Sequence, residues 1–206
     1  NNLYWKFDGW YEGNPNLKPE KSKSYELQWR SQLADSVRLE SSVYQTKVRD
    51  QIQYQGKTNK NVQARINGFE TSLQHDVFGA QGALNVSFVD ARDRKTGHQL
   101  RRIAKRTLSY DLDKQLGAFG VGGTWRVASK SFNDAKNNQK IAGFGTMDLR
   151  GSWQATQDLG LDLRLANIFD KGYTRALYTY AQDKNTYGYR EDRFTVLLGM
   201  TWTPNL

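Results

Sequence analysis

The 206 residues include no cysteine, so neither a disulfide framework nor a thiolate metal site is open to this chain. Proline is scarce, with three copies, which leaves room for long uninterrupted strands. Long apolar runs are missing too. Mean hydropathy is −0.80, and no stretch approaches the roughly 20 apolar residues that a spanning helix needs. The two histidines do not meet: His75 reads as part of a short turn and His98 as part of a long loop at the opposite end. There is no nucleophile elbow and no His/Asp metal spacing, so no enzymatic constellation is visible and the chain does not read as an enzyme. Gly117, Gly120, Gly122 and Gly123 miss the dinucleotide spacing and read as a strand kink.

What the chain does have is a period of two. In its last stretch Phe194, Val196, Leu198, Met200 and Trp202 fall on one face, and Thr195, Gly199 and Thr201 fall on the other, with Leu197 the exception. Stretches of this kind recur, separated alternately by very short and by long polar connections. That is the rhythm of an all-β transmembrane antiparallel barrel, whose wall needs only half its residues apolar. Eleven tyrosines and six tryptophans suit the aromatic girdles of such a wall. A soluble antiparallel sandwich shares the alternation and is the alternative. The net charge of +9 concentrates around Arg92, Arg94, Lys95, Arg101, Arg102, Lys105 and Arg106 without a nucleic-acid motif or a stacking platform. No nucleic-acid partner is expected; on a barrel these cations would meet outer-membrane lipid and lipopolysaccharide or line a pore.

Nine strands are expected: about 22–31, 37–44, 62–73, 84–88, 104–112, 119–127, 147–153, 161–165 and 194–202. Short turns are placed near 34–35, 76–79, 113–115 and 157–160, and long loops at 50–61, 90–98, 129–140 and 169–189. With short turns on the periplasmic side, the chain ends in the periplasm, and Trp29, Trp153 and Trp202 fall in one girdle. The charged residues Arg38, Glu40, Arg65, Glu70, Arg150, Asp162 and Arg164 are read as lumen residues that pair with one another or with a plug. Nine is an odd count, so the closed barrel is expected to include strands that precede this chain.

Residues 13–22, GNPNLKPEKS, resemble the motif that opens the C-terminal half of TonB-dependent outer-membrane receptors, and 165–173, LANIFDKGY, resembles the penultimate-strand motif of the same family. Residues 89–113, VDARDRKTGHQLRRIAKRTLSYDLD, together with TYGYRE at 186–191, look like the vitamin B12 (cobalamin) receptor branch. The resemblance implies that residues 1–206 are the C-terminal part, the last nine or so strands, of a 22-stranded barrel in the Gram-negative outer membrane. It also implies a plug domain and energised uptake through TonB by way of that plug. The implied ligand is cobalamin, a siderophore (ferric chelate) being the alternative within the class. A barrel enzyme, such as an outer-membrane protease or phospholipase, is the alternative outside it. Cobalamin is large, near neutral and fringed with amides, so aromatic faces and side-chain donors in the last loop are the candidate contacts: Tyr178, Tyr180, Asn185, Tyr187, Tyr189 and Arg190. No resident cofactor or metal is expected, although Asp90 with Asp93, or Asp183 with Glu191, offers carboxylates to Ca²⁺ in the full-length protein.

Overall fold

The computed structural model describes residues 3–7, 11–179 and 186–204. Every element among them is a strand: β1 (Lys6–Phe7), β2 (Tyr11–Glu12), β3 (Lys21–Ala34), β4 (Val37–Gln55), β5 (Thr58–Val77), β6 (Ala80–Asp93), β7 (Arg106–Leu116), β8 (Phe119–Ala128), β9 (Ser131–Phe132), β10 (Lys140–Ile141), β11 (Phe144–Gln154), β12 (Leu159–Ala166), β13 (Thr174–Thr179), β14 (Thr186–Arg190) and β15 (Thr195–Trp202). The nine expected strands are β3 to β8, β11, β12 and β15. They pair antiparallel in that order, each with its chain neighbour. Among the described residues, β3 and β15 each pair on one side only.

Register places the apolar residues of each strand on one continuous face. Leu27, Val43, Phe69 and Phe88 are successive cross-strand partners, and so are Leu116, Phe119, Trp153, Leu161 and Met200. Ring pairs reinforce both rows: Phe69 and Phe88 lie 6.3 Å apart, and Phe119 stacks on Trp153 at 5.8 Å. The opposite, concave face carries Ser42, Glu70, Ser87 and Thr107 in one row. Leu198 is 82% exposed on its apolar face, as lipid contact requires and a soluble sandwich core forbids.

At the long-loop end of β4, β5 and β6 the two faces exchange character. The concave face there carries Val48, Ala64, Ile66, Val89 and Ala91, and the segment after β6 folds inward so that Leu100 and Ile103 pack on them. Ala64 and Ala91 are fully buried. Arg65 is therefore not a lumen residue: it shares a face with Phe69 and is exposed on the outer side. A strand pattern read in one phase cannot reveal such a reversal, because the period of two continues through it.

Several connections differ from their expected form. Residues 50–61 are no loop; β4 and β5 run on through a bulge at Asp50, φ 57°, to a tight turn at Gly56 and Lys57. The composition misleads because strands that have left the membrane need no apolar face. β7 continues past 113–115 to Leu116, and Gly117, at φ 61°, makes the turn that residue type favours. The turn near 157–160 lies instead at 155–158, with β12 starting at Leu159. His75 is in β5, on the outer face, where its Nε2 is hydrogen-bonded to the Tyr110 hydroxyl at 2.9 Å. The two remaining long loops fold into hairpins of their own, β9 with β10 and β13 with β14.

Candidate ligand-binding mouth

The concave face holds a polar trough of about 1000 Å³ that runs from mid-wall to the long-loop rim. Its floor is built by Ser42, Asn85, Ser109, Thr146 and Asp148, each placed by strand alternation; its rim includes Arg102, Phe144, Tyr173 and Arg175. Asp148 organises the floor. Its Oδ2 accepts from Arg164 at 2.8 Å and from Arg126 at 3.1 Å, while Oδ1 accepts the backbone N–H of Asn167 at 2.9 Å. One carboxylate thus ties β8, β11 and the end of β12 together.

Lower down, Arg150 forks onto Asp113 with contacts of 2.7 and 2.5 Å and donates to Thr124 at 2.6 Å. Gly122 opposes both partners in register. A Cβ there would stand 2.1 Å from Asp113 Oδ1, so this glycine makes room for the ion pair; it does not act as a kink. Arg38 pairs with Glu40 at 2.6 Å, and Glu70 accepts from the Tyr44 hydroxyl at 3.1 Å. Asp162 forms no ion pair among the described residues.

At the rim, Phe144 stacks on Tyr173 with centroids 4.1 Å apart, and the Arg175 guanidinium lies over both rings at 5.7 and 5.9 Å while pairing with Glu191 at 3.2 Å. Asp170 holds Arg193 in a fork and accepts the Phe194 N–H at 3.0 Å. The Arg193 contact and that N–H hold the Asp170 carboxyl at about 2. Its folded value lies below the ordinary 3.8, so the tie is in place above 3.8 and is lost as pH falls through about 2. The hairpin of β13 and β14 is anchored at its base throughout the range a cell surface meets.

The loops are locked to one another by Asn133, which is 5% exposed. Its amide donates to Gln139 Oε1 and to the Leu177 carbonyl, both at 2.8 Å; its Oδ1 accepts from Arg102 and from the Leu177 N–H, both at 3.0 Å. Arg101 donates to the Asn133 carbonyl at 2.5 Å and to the Tyr54 carbonyl at 3.0 Å, reaching the β4–β5 hairpin. Burial and the neighbouring Arg102 lower the Arg101 guanidinium from its usual value. Asn137 exchanges two hydrogen bonds with the Gln99 backbone, at 2.8 and 2.9 Å. Beside it Asp134 caps the turn: burial raises its carboxyl, but the N–H groups of Gln139, Asn138 and Lys136 bring it below the ordinary value.

Of the candidate contacts, Tyr178, Tyr187 and Tyr189 come together on the hairpin, with ring centroids 5.6 Å apart for Tyr178 and Tyr187 and 4.7 Å for Tyr178 and Tyr189. Arg190 ends the same hairpin opposite Thr174. These four stand beside the trough and do not line it. Tyr180 and Asn185 lie outside the described residues, as does Asp183. The carboxylates considered for Ca²⁺ are otherwise engaged: Asp90 with Arg92 and Lys105, Asp93 with the N–H groups of Lys95 and Thr96, and Glu191 with Arg175. Among the described residues no three metal-ligating side chains gather. Phe144, Tyr173, Arg175 and Asn133 were not singled out from the sequence; the only signal was their nearness to LANIFDKGY and to an Asn-rich run.

A family model described as TonB dependent receptor-like, beta-barrel, matches residues 1–169. Among solved structures the chain is similar to the copper transporter OprC, with 20% identity over 93% of this chain and 33% of that one and a TM-score of 0.79. It is similar to the ferric yersiniabactin uptake receptor FyuA from Yersinia pestis, with 19% identity over 89% of this chain and 30% of that one and a TM-score of 0.79. The pyoverdine outer membrane receptor FpvA from Pseudomonas aeruginosa gives 18% identity, 96% and 32% coverage and a TM-score of 0.74. The chain spans about a third of the length of these structures. At such identities the likeness is one of fold.

Proposed function

This chain belongs to the TonB-dependent receptor β-barrel family, and from that premise we propose that it forms the C-terminal wall of an outer-membrane receptor for TonB-driven uptake of cobalamin. Its short turns face the periplasm and its interlocked loops face outward, in keeping with the family's place in the outer membrane. The observation that carries the ligand reading is charge balance. In a chain of net +9, the trough is lined by five arginines, Arg102, Arg126, Arg164, Arg175 and Arg193, and by five carboxylates, Glu40, Glu70, Asp148, Glu191 and Asp192. All of those arginines but Arg102 have a carboxylate partner within hydrogen-bond range.

An anionic ferric chelate is best met by uncommitted cations; a neutral, amide-fringed corrinoid is better met by hydroxyls, amides and ring faces. The trough floor and the Phe144–Tyr173 platform supply these. Tyr178, Tyr187, Tyr189 and Arg190 form the outer contact surface on the hairpin beside it; Tyr180 and Asn185 stay candidates on the sequence alone. The reading is tested by titrating the full-length receptor with cyanocobalamin and with ferric siderophores: the corrinoid should bind and the chelates should not. Binding of a chelate without the corrinoid would overturn the cobalamin assignment and favour the ferric-chelate reading, in keeping with the similarity to the ferric yersiniabactin uptake receptor FyuA.

A further inference from the structure

Arg102 is the one arginine of the trough that has no carboxylate partner among the described residues. Arg126 and Arg164 share Asp148, Arg175 has Glu191 and Arg193 has Asp170, so an anion drawn to any of these would compete with a pair already made. Arg102 offers its charge without that competition. Its backbone is also unusual: φ is 58°, in the left-handed region that residues with a side chain occupy at a cost and that recurs at ligand clamps. Two contacts hold it there. The Arg102 N–H donates to the Phe132 carbonyl at 2.7 Å, and Nε donates to Asn133 Oδ1 at 3.0 Å.

Because Asn133 is itself fixed by Gln139 and by both polar groups of Leu177, the guanidinium is positioned before a ligand arrives, which spares the ordering that binding otherwise demands. With Nε engaged, the two terminal nitrogens remain, and their N–H groups can meet two oxygens of a phosphate at once. Ser131 is a second, independent sign. It precedes Phe132 in the chain, lines the same trough and is 8% exposed, yet its hydroxyl has no hydrogen-bond partner among the described residues. Buried hydroxyls are normally bonded, so one that opens onto a cavity has its bond to make with whatever fills that cavity.

We propose that Arg102 and Ser131 form the anion subsite of the trough and take the one phosphodiester of cobalamin, which joins a side chain of the corrin ring to the ribose of the nucleotide. One uncommitted cation matches one negative charge; a chelate that carries several would leave the others unmatched. The proposal deepens the cobalamin reading and rests on it. It also assigns the two adjacent arginines opposite tasks, since Arg101 is spent on the carbonyls of Asn133 and Tyr54 while Arg102 faces the ligand.

The test is isothermal titration of the full-length receptor with two probes: cyanocobalamin, and dicyanocobinamide, which keeps the corrin ring and its amides but lacks the phosphodiester and the nucleotide. Arg102→Gln should weaken cyanocobalamin about tenfold, a charge-assisted contact being lost, and leave dicyanocobinamide where it is in the parent. Ser131→Ala should weaken cyanocobalamin about threefold, as for one neutral hydrogen bond, again without effect on dicyanocobinamide. Equal weakening of both probes would show that Arg102 only holds the loops through Asn133, and would overturn the proposal. Unchanged cyanocobalamin binding by Arg102→Gln would overturn it as well and leave the cobalamin reading intact. A parent receptor that binds neither corrinoid would overturn that reading and the phosphodiester assignment with it.

Discussion

A receptor carrying Leu163→Arg is expected to fold into lipid with about 2 to 4 kcal/mol less stability than the parent, because the new guanidinium lies in hydrocarbon. Leu163 stands on the outer face of β12, flanked across the strands by Gly151 and Leu198. Its neighbour Asp162 is on the concave face between Ser152 and Gly199. Asp162→Arg puts the same side chain into the polar lumen, where it should cost less than about 1 kcal/mol, in the range of exposed polar changes. Urea titrations of the full-length protein in vesicles measure both. Equal costs, or a larger cost for Asp162→Arg, would mean the register of β12 is shifted by one residue and every face assignment with it.

Removing the three hairpin tyrosines together, Tyr178→Ala, Tyr187→Ala and Tyr189→Ala, is expected to weaken cyanocobalamin binding on the order of a hundredfold. Each aromatic contact is worth roughly 1 kcal/mol beyond area burial, and two or three lost together give that factor. The hairpin should survive the change. Its backbone is held by Asn133 on both polar groups of Leu177, and its base by the Arg175–Glu191 and Asp170–Arg193 pairs. Isothermal titration of parent and triple variant reads the effect. Unchanged affinity would take the hairpin tyrosines out of the contact surface and leave the Phe144–Tyr173 platform to carry it.

The wall was legible in the sequence because lipid imposes a strict rule on it. Leu198, Met200 and Trp202 must face one way and Gly199 and Thr201 the other, and alternation records that directly. Strand count, the short-turn partners and the apolar face followed from it. Beyond the lipid the rule lapses. Residues 50–55 and 58–61 are strand without an apolar face, and Arg65 is outward because the concave side at that level, at Ala64, is covered by Leu100 from 36 positions further along the chain. The site was legible only as chemistry. A tyrosine-rich final loop pointed to ring contacts, and Tyr178, Tyr187 and Tyr189 do gather. That Arg175 lies over Phe144, or that Asn133 joins three loops, depends on pairings across 31 to 44 residues, which no local pattern encodes. Charge balance in the trough is likewise a property of partners brought from five strands and their loops.

The most direct test of the account is uptake of radiolabelled cyanocobalamin by Gram-negative cells that lack their own cobalamin receptor and carry the full-length protein. Cyanocobalamin should accumulate inside the cells, and accumulation should stop when a protonophore collapses the inner-membrane gradient or when the segment that engages TonB is deleted, with surface binding retained in both cases. No accumulation of cyanocobalamin in cells that do accumulate a ferric siderophore, or accumulation indifferent to the protonophore, would contradict it.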